Sequence, residues 1–439
     1  MPGQYHDLTA IQETLKYAYG DSLTAQFTDE RTTYNQFSKS PRQPRGLGYV
    51  FGLRYARAQG VGARRESEML PDPVAGKYDQ GLIRPKYVYG TLRLTGPAIE
   101  AAKGDVNAFV EGLSDAVDDI YQSLIRDMNR QSCGDGFGLL ATLSGASDAL
   151  TTSSTTWTIT CANDLGVRRL IPGMVVDFFD GTAIDQSSVA SRISTVDYSG
   201  KTAEMEPNDG TFKTNHPIVA ARSYTIATDA VPSGAYIVRL GAREASHATT
   251  NVPVEITGLD GIFDDGTLLA TYENVLVASY PQWRANVLGN SSVNRELTLD
   301  LMLQALDLTR TQSGKNVRLM RMGLGQRRKY ANLLLPDVRF APATLRGGYE
   351  ELTFSGGDGA VKIIIDPDLS PNKIYCEPEG AIQKYEMTPL GWGNLDQQIH
   401  QRAGYDEWDQ FLRIYTNLGV EQRNCLTLIK DLIEPSLYT

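Results

Sequence analysis

Residues 49 to 95 read as two strand-like arms around a polar, glycine-dotted tip, with a long amphipathic helix directly after them. A chain with this order either folds the hairpin back on its own body as an ordinary surface element or sends it to a neighbour. The first arm, Tyr49 to Arg57, sets Tyr49, Phe51, Leu53 and Tyr55 on one face, the period-two pattern of a half-buried strand. The second arm, Lys86 to Leu94, is rich in aromatic and apolar residues and reads the same way. Between them, residues 58 to 82 mix Gly60, Gly62, Gly76, Gly81, Pro71 and Pro73 with Arg64, Arg65, Glu66 and Glu68, too few large apolar residues to fold alone. Arms of about 20 residues, at roughly 3.3 Å per residue, reach about 65 Å. A compact globule of 439 residues has a radius of gyration of about 22 Å. Because an isolated hairpin is marginal in water, a projecting one is expected to gain its order from another subunit.

The rest of the chain supplies a body. Before the hairpin, a short helical stretch around Leu8 to Tyr19 precedes Ser38 to Arg45, whose prolines suggest an extended arm. After it, Asp105 is a candidate N-cap, and apolar residues recur at three-four spacing from Val106 through Phe109, Leu113, Val117, Ile120, Leu124 and Met128. Arg126 and Arg130 suit the negative end of that helix, and Gly134 or Gly136 can end it, giving about 38 Å of helix. From about 151 to 245, short strands separated by Asp180-Gly181, Ser199-Gly200 and Asp209-Gly210 read as an inserted β-barrel or sandwich. The next part is mixed α/β. It holds a helix capped by Asn294 and running to about Thr311, a strand at 316–322, a helix at 325–335, and strands at 361–365, 373–376 and 381–387. Residues 408–415 and 419–431 read as strands returning to the body.

Composition narrows the function classes. A hydrophobic content of 41% and a charged content of 21% describe a globular protein, and a net charge of −10 argues against affinity built on clustered Lys and Arg. No apolar run approaches a membrane span, and the first residues lack signal-peptide character, so synthesis in the cytoplasm is expected. Cys133, Cys161, Cys376 and Cys425 are far apart and form no CxxC pair, which suggests small buried residues rather than zinc ligands or a disulfide framework. His6, His216, His247 and His400 are dispersed, so no metal is expected.

No constellation supports catalysis. Gly323-Leu-Gly-Gln-Arg-Arg328 begins like a dinucleotide fingerprint, but Arg328 stands at the third glycine position and a strand-to-helix turn explains the run better. Asp366-Pro-Asp-Leu-Ser-Pro371 and Asp264-Asp265-Gly266 lack the ligand spacing of a calcium loop and read as solvated turns. Asp115, Asp118 and Asp119 read as a polar helix face available for a subunit contact. No cofactor and no enzyme activity are expected.

The order of these elements resembles the major capsid proteins of tailed bacteriophages, with the Hong Kong 97 or Johnson fold. The likeness is carried by Arg64 to Pro71 with Lys86 to Thr95 for the extended loop. It is carried also by Asn129 to Gly138 for the end of the spine helix and by Tyr415 to Asn424 for the last strands. It spans about 340 residues, leaving out the β-rich part. The resemblance implies an α+β chain divided into an N-terminal arm (1–48), an extended hairpin loop (49–95) and a spine helix with the first part of a peripheral domain (96–150). An inserted β-rich domain (151–245), an axial α/β domain (246–385) and the remaining peripheral strands (386–439) complete the division. It implies hexamers and pentamers closing into an icosahedral shell around double-stranded DNA in the virion, assembled in the bacterial host cytoplasm. A portal, a separate scaffold and a decoration protein are the further partners implied, with no membrane and no sequence-specific DNA binding. Arg57, Arg64, Arg65, Glu66 and Glu68 would then be charge-paired contacts across subunits, each worth little when exposed. About 48 residues precede the loop, so an uncleaved chain is expected; Lys77 and Lys86 are the lysines available for a cross-link, without an identifiable partner. The rival readings are an encapsulin-like nanocompartment and a soluble α/β enzyme with a β-barrel accessory domain.

Overall fold

A computed structural model of the chain describes residues 32–95, 112–145, 157–179, 191–207, 234–242, 253–338, 353–355, 359–393, 400–401 and 405–434. The helical stretch expected at Leu8 to Tyr19, the candidate cap Asp105 and the expected turns Asp180-Gly181 and Asp209-Gly210 lie outside these residues. After helix Thr32–Gln36, the described residues begin with strands β1 (Ser38–Lys39), β2 (Tyr49–Ala56), β3 (Lys77–Ile83) and β4 (Lys86–Thr95). Then come β5 (Leu139–Thr142), β6 (Trp157–Thr160), β7 (Val175–Phe179), β8 (Ser191–Asp197), β9 (Thr202–Pro207) and β10 (Tyr236–Arg239). A middle group holds β11 (Thr271–Tyr272), β12 (Val275–Leu276), β13 (Asn286–Leu288), β14 (Leu319–Met322) and β15 (Thr353–Ser355). The last are β16 (Ala360–Ile365), β17 (Ile374–Glu377), β18 (Gln383–Trp392), β19 (His400–Gln401), β20 (Glu407–Gly419) and β21 (Thr427–Ile429). The chain divides into two compact units, a larger one of Glu30–Val88, Ile125–Leu390 and Ile414–Thr439, and a smaller one whose described residues fall in Tyr89–Leu124 and Gly391–Arg413.

In the larger unit, β5 to β10 form a six-stranded sheet in the order β5-β10-β7-β8-β9-β6. Its two edge strands meet through a Leu143↔Cys161 bridge, with the Ala162 amide donating to Thr142 O at 2.8 Å and the Ser144 amide to Thr160 O at 3.0 Å. The sheet is thereby closed, which removes its exposed edges. Period-two alternation fills the interior with Leu140, Ile159, Val176, Phe178, Ile193, Met205 and Ile237.

A second six-stranded sheet, β13-β21-β17-β14-β16-β15, is mixed: β14 runs parallel to β16 and antiparallel to β17. Helix Leu299–Ser313 covers its core, with Leu301, Met302 and Ala305 buried against Met320, Met322 and Ile363. The cap of this helix is Thr298 rather than Asn294: the Thr298 hydroxyl accepts the Leu301 amide at 3.2 Å, while Asn294 is an exposed residue of the preceding loop. Gly314, at φ 72, closes the other end in the left-handed conformation that glycine adopts without cost. Helix Leu324–Val338 starts two residues after β14 ends, so the glycine run at 323 is a strand-to-helix turn.

The acidic loops are not solvated turns. Asp366 is fully buried, accepting the Thr33 amide at 2.9 Å and Asn129 Nδ2 at 3.1 Å, and it thereby ties the first helix, Thr32–Gln36, to helix Gly112–Cys133. Asp264, also buried, accepts the amides of Gly266, Leu268 and Leu269. Asp264 gathers backbone donors of its own loop and Asp366 donors from distant segments, and in each case that offsets the desolvation. The four cysteines are buried and free.

In the smaller unit, Gly90 of β4 is buried, and a Cβ there would lie 3.3 Å from Ile120 and 3.7 Å from Leu124 on the helix's apolar stripe. The ring of Tyr89 sits edge-on to Phe411 at 6.3 Å, and β19 pairs with β20 through His400↔Asp409.

Candidate assembly surface

The hairpin closes on a different second arm from the one its aromatic pattern suggests. β2 pairs antiparallel with β3, from Tyr49↔Ile83 to Ala56↔Lys77, and β4 instead joins β20. The reason lies in the alternation of β4: Val88 and Gly90 are buried while Tyr87 and Tyr89 are exposed. A strand with one buried face and a glycine beneath a helix belongs in a sheet, not on a free ribbon. The paired arms are thus eight residues or fewer, about 26 Å long at 3.3 Å per residue, well short of the expected 65 Å. Residues 57 to 76 form the tip, closed once more by mutual Gln59–Val74 backbone hydrogen bonds of 2.9 Å.

The root of the hairpin is held by aromatic contacts. Phe51 lies 6.4 Å from Trp283, Tyr55 meets Tyr280 edge-on at 4.8 Å, and Tyr49 stacks on Tyr385 at 5.4 Å. Such pairs are worth about 0.5–1.5 kcal/mol each beyond the area they bury. The Tyr49 hydroxyl and Glu421 both engage Arg42, whose Nη1 is 2.8 Å from each oxygen. Asp79 accepts from the Tyr280 hydroxyl and the Gln80 amide, which hold its carboxyl below the usual range. Leu82 donates its amide to Glu273 O at 2.8 Å, and the Glu273 carboxyl turns inward to accept the Val420 amide at 3.0 Å. Burial pushes that carboxyl up to about 8, against the lowering pull of Val420, Tyr272 and Arg423.

The tip is the opposite. Every residue from 57 to 70 is exposed, and Val61, Met69 and Leu70 are open to solvent at 94%, 79% and 80%. Val74, Tyr78 and Val50 are also exposed large residues on this hairpin. Arg64 bends back, its Nε donating to Met69 O at 3.0 Å; the Glu68 carboxylate accepts the Arg65 amide at 2.9 Å across a turn with Ser67 at φ 64. Arg64 and Glu68 therefore shape the tip itself, whereas Arg57, Arg65 and Glu66 extend their charges outward from exposed positions. The tip thus exposes the apolar residues Val61, Met69 and Leu70 among its charges. Sequence reasoning passed over them because single apolar residues among glycines and charges show no periodicity. Asp118 and Asp119 are exposed on helix Gly112–Cys133, and the side chain of Asp115 lies outside the described residues. Lys77 is exposed at the start of β3, whereas the Lys86 ammonium donates to Pro253 O and is held down to about 8 by burial and by Arg84.

Among the described residues, no group of three or more His, Cys, Asp or Glu is placed to hold a metal ion, and no helix is long and apolar enough to cross a membrane. No protein-family model and no curated protein matches the sequence. Among solved structures, the chain is similar to the cyanophage A-1(L) capsid asymmetric unit, 13% identical over 96% of this chain and 98% of that one, with a TM-score of 0.55. It is similar also to a Mycobacterium phage Bobi structure, 8% identical over 97% and 99% of the two chains, with a TM-score of 0.47. The holo-SrpI encapsulin complex from Synechococcus elongatus gives 7% identity over 98% and 96%, with a TM-score of 0.41. At 13% identity along nearly the whole of both chains, the cyanophage likeness is one of architecture, and the chain has the phage-capsid, Hong Kong 97-like fold.

Proposed function

We propose that this protein is the structural subunit of an icosahedral shell enclosing double-stranded DNA, built from its own hexamers and pentamers in a virion. The observation that carries this reading is the contrast along one hairpin: a root locked by aromatic pairs and a tip that leaves Val61, Met69 and Leu70 in water. Covering each of those side chains on a neighbouring subunit is worth about 1.5–3 kcal/mol. The contact repeats with every subunit, so a shell gains avidity without any single strong site. Arg57, Arg65 and Glu66 would pair with opposite charges on the neighbour and set register more than affinity, and Asp118 and Asp119 offer a second polar contact on the spine helix. The division at 48, 95, 150, 245 and 385 would then separate arm, loop, spine, β-rich, axial and peripheral parts. A portal, a separate scaffold and a decoration protein are the further partners. A net charge of −10 suits a container whose wall does not grip its DNA, and the role is structural rather than enzymatic.

The test is to replace residues 60–73 by a two-residue Asn-Gly turn, which spares β2 and β3. The body should still fold and run as a single subunit or small capsomer on size exclusion, with no shells by electron microscopy. Shells of normal size and stability from this variant would overturn the reading. Purified wild-type shells free of DNA would favour a nanocompartment instead.

A further inference from the structure

Glu273 joins three segments of the larger unit. Its carbonyl accepts the Leu82 amide of β3 at 2.8 Å, and its Oε1 accepts the Val420 amide just past β20 at 3.0 Å. It holds φ 47, followed by Asn274 at φ 63, in the two-residue turn between β11 and β12. The turn's backbone lies near the surface, but Oε2 is fully buried. Gly419 makes room for the assembly: a Cβ there would meet Ile83 Cδ1 at 2.6 Å, and Glu273 Oε1 and Tyr385 at 3.0 Å.

The titratable and charged groups facing the carboxyl are Tyr272 from β11, Tyr385 from β18, and Arg423 and Glu421 from the segment after β20; the hairpin faces it with apolar Leu82 and Ile83. Arg423 spends two of its three nitrogens on backbone carbonyls, and its buried Nη1 has no hydrogen-bond partner. Its Nε donates to Ile262 O at 2.8 Å and its Nη2 to Gly261 O at 3.1 Å and to Asp264 O, while the Tyr272 ring covers its face at 4.4 Å.

We propose that Glu273 is a protonation latch on the root of the projecting hairpin: as a neutral acid its side chain stays inside on Val420 and keeps the turn whose carbonyl holds Leu82 against the body, and as a carboxylate it lets that turn and the root open. A buried carboxylate whose Oε2 has no hydrogen-bond partner gains by moving into water. Closed, the carboxyl sits at about 8; opened into water, it returns toward its ordinary 4.5. The closed-state value is the higher one, so the latch is fully effective below about pH 4.5. It weakens as pH rises to about 8 and stays constant above that. Lys86, depressed to about 8, has the opposite sign, because its deprotonation at higher pH relieves a buried charge. The latch concerns the hairpin's root and does not depend on what the tip touches.

The experiment is amide hydrogen exchange on the purified full-length chain between pH 5 and 9, corrected for intrinsic rates and read on peptides containing Leu82 and Val420. The opening equilibrium should rise by up to tenfold per pH unit from pH 5 to 8 and level off above, and Glu273→Gln should flatten the profile while keeping the Val420 contact. A flat wild-type profile overturns the latch, as does a slope that persists in Glu273→Gln. Should the Gln variant fail to fold, the wild-type profile decides alone.

Discussion

Phe51 and Gly81 face each other across β2 and β3, and the phenyl ring occupies the space a side chain at 81 would need: a Cβ there would lie 2.2 Å from the ring's Cζ. The ring can lie flat over its partner strand and still reach Trp283 because position 81 has no side chain.

Gly81→Val should therefore displace Phe51 and destabilise the protein by about 1–3 kcal/mol in urea denaturation. Gly52→Ala, at a neighbouring position with nothing within 4 Å of a new Cβ, should change stability by no more than about 0.5 kcal/mol. Equal effects from both would show that the ring does not depend on the glycine.

The paired change Met69→Ser and Leu70→Ser removes apolar surface that stands exposed at the tip. Stability of the isolated chain should stay within about 0.5 kcal/mol, while particle yield by size exclusion and electron microscopy should collapse. Normal particle yield would count against the tip as the contact.

Asp127 sits in a buried charge cluster. Its Oδ1 accepts Arg130 Nε at 2.9 Å and Arg239 Nη1 at 3.4 Å, and Arg130 Nη2 reaches Glu255 at 2.7 Å. Burial raises its carboxyl, but Arg130 and Arg239 outweigh that and hold it down to about 2. A folded value below the ordinary 3.8 means its contribution is present above pH 3.8 and is lost as pH falls toward 2. Asp127→Asn should cost about 1–3 kcal/mol at neutral pH, because Arg130 loses one of its two carboxylate partners and keeps Glu255. It should also reduce the acid slope of stability between pH 4 and 2, measured by denaturant titration at each pH.

Thr298→Ala should cost about 0.5–2 kcal/mol through loss of the cap on helix Leu299–Ser313. Asn294→Ala, at the position the sequence pattern favours, should be neutral within about 0.5 kcal/mol. Thermal denaturation of the two variants side by side separates the two caps.

Much of the architecture was legible because it rests on near neighbours in the chain. The odd-numbered residues of β2 turn inward as their alternation requires, and helix Gly112–Cys133 ends before Gly134 and Gly136, where its stripe stops. The short strands between 157 and 239 follow the Ser199-Gly200 turn and their own period-two pattern. Other features were illegible for an equally physical reason. Asp366 looks like a loop carboxylate until Thr33 and Asn129 arrive from 333 and 237 residues away.

The sequence by itself determined the alternation of β2 and β4, the stripe of helix Gly112–Cys133 after them, and the fact that a glycine-rich charged tip between strands cannot pack alone. Only the tertiary structure decided that β3 rather than β4 closes the hairpin, that Val61, Met69 and Leu70 stand exposed at its tip, and that the Glu273 carboxyl is buried beneath its root. Strand partners and carboxyl environments depend on the surfaces that distant segments bring up. Alternation within one strand records which face is buried, but not what buries it.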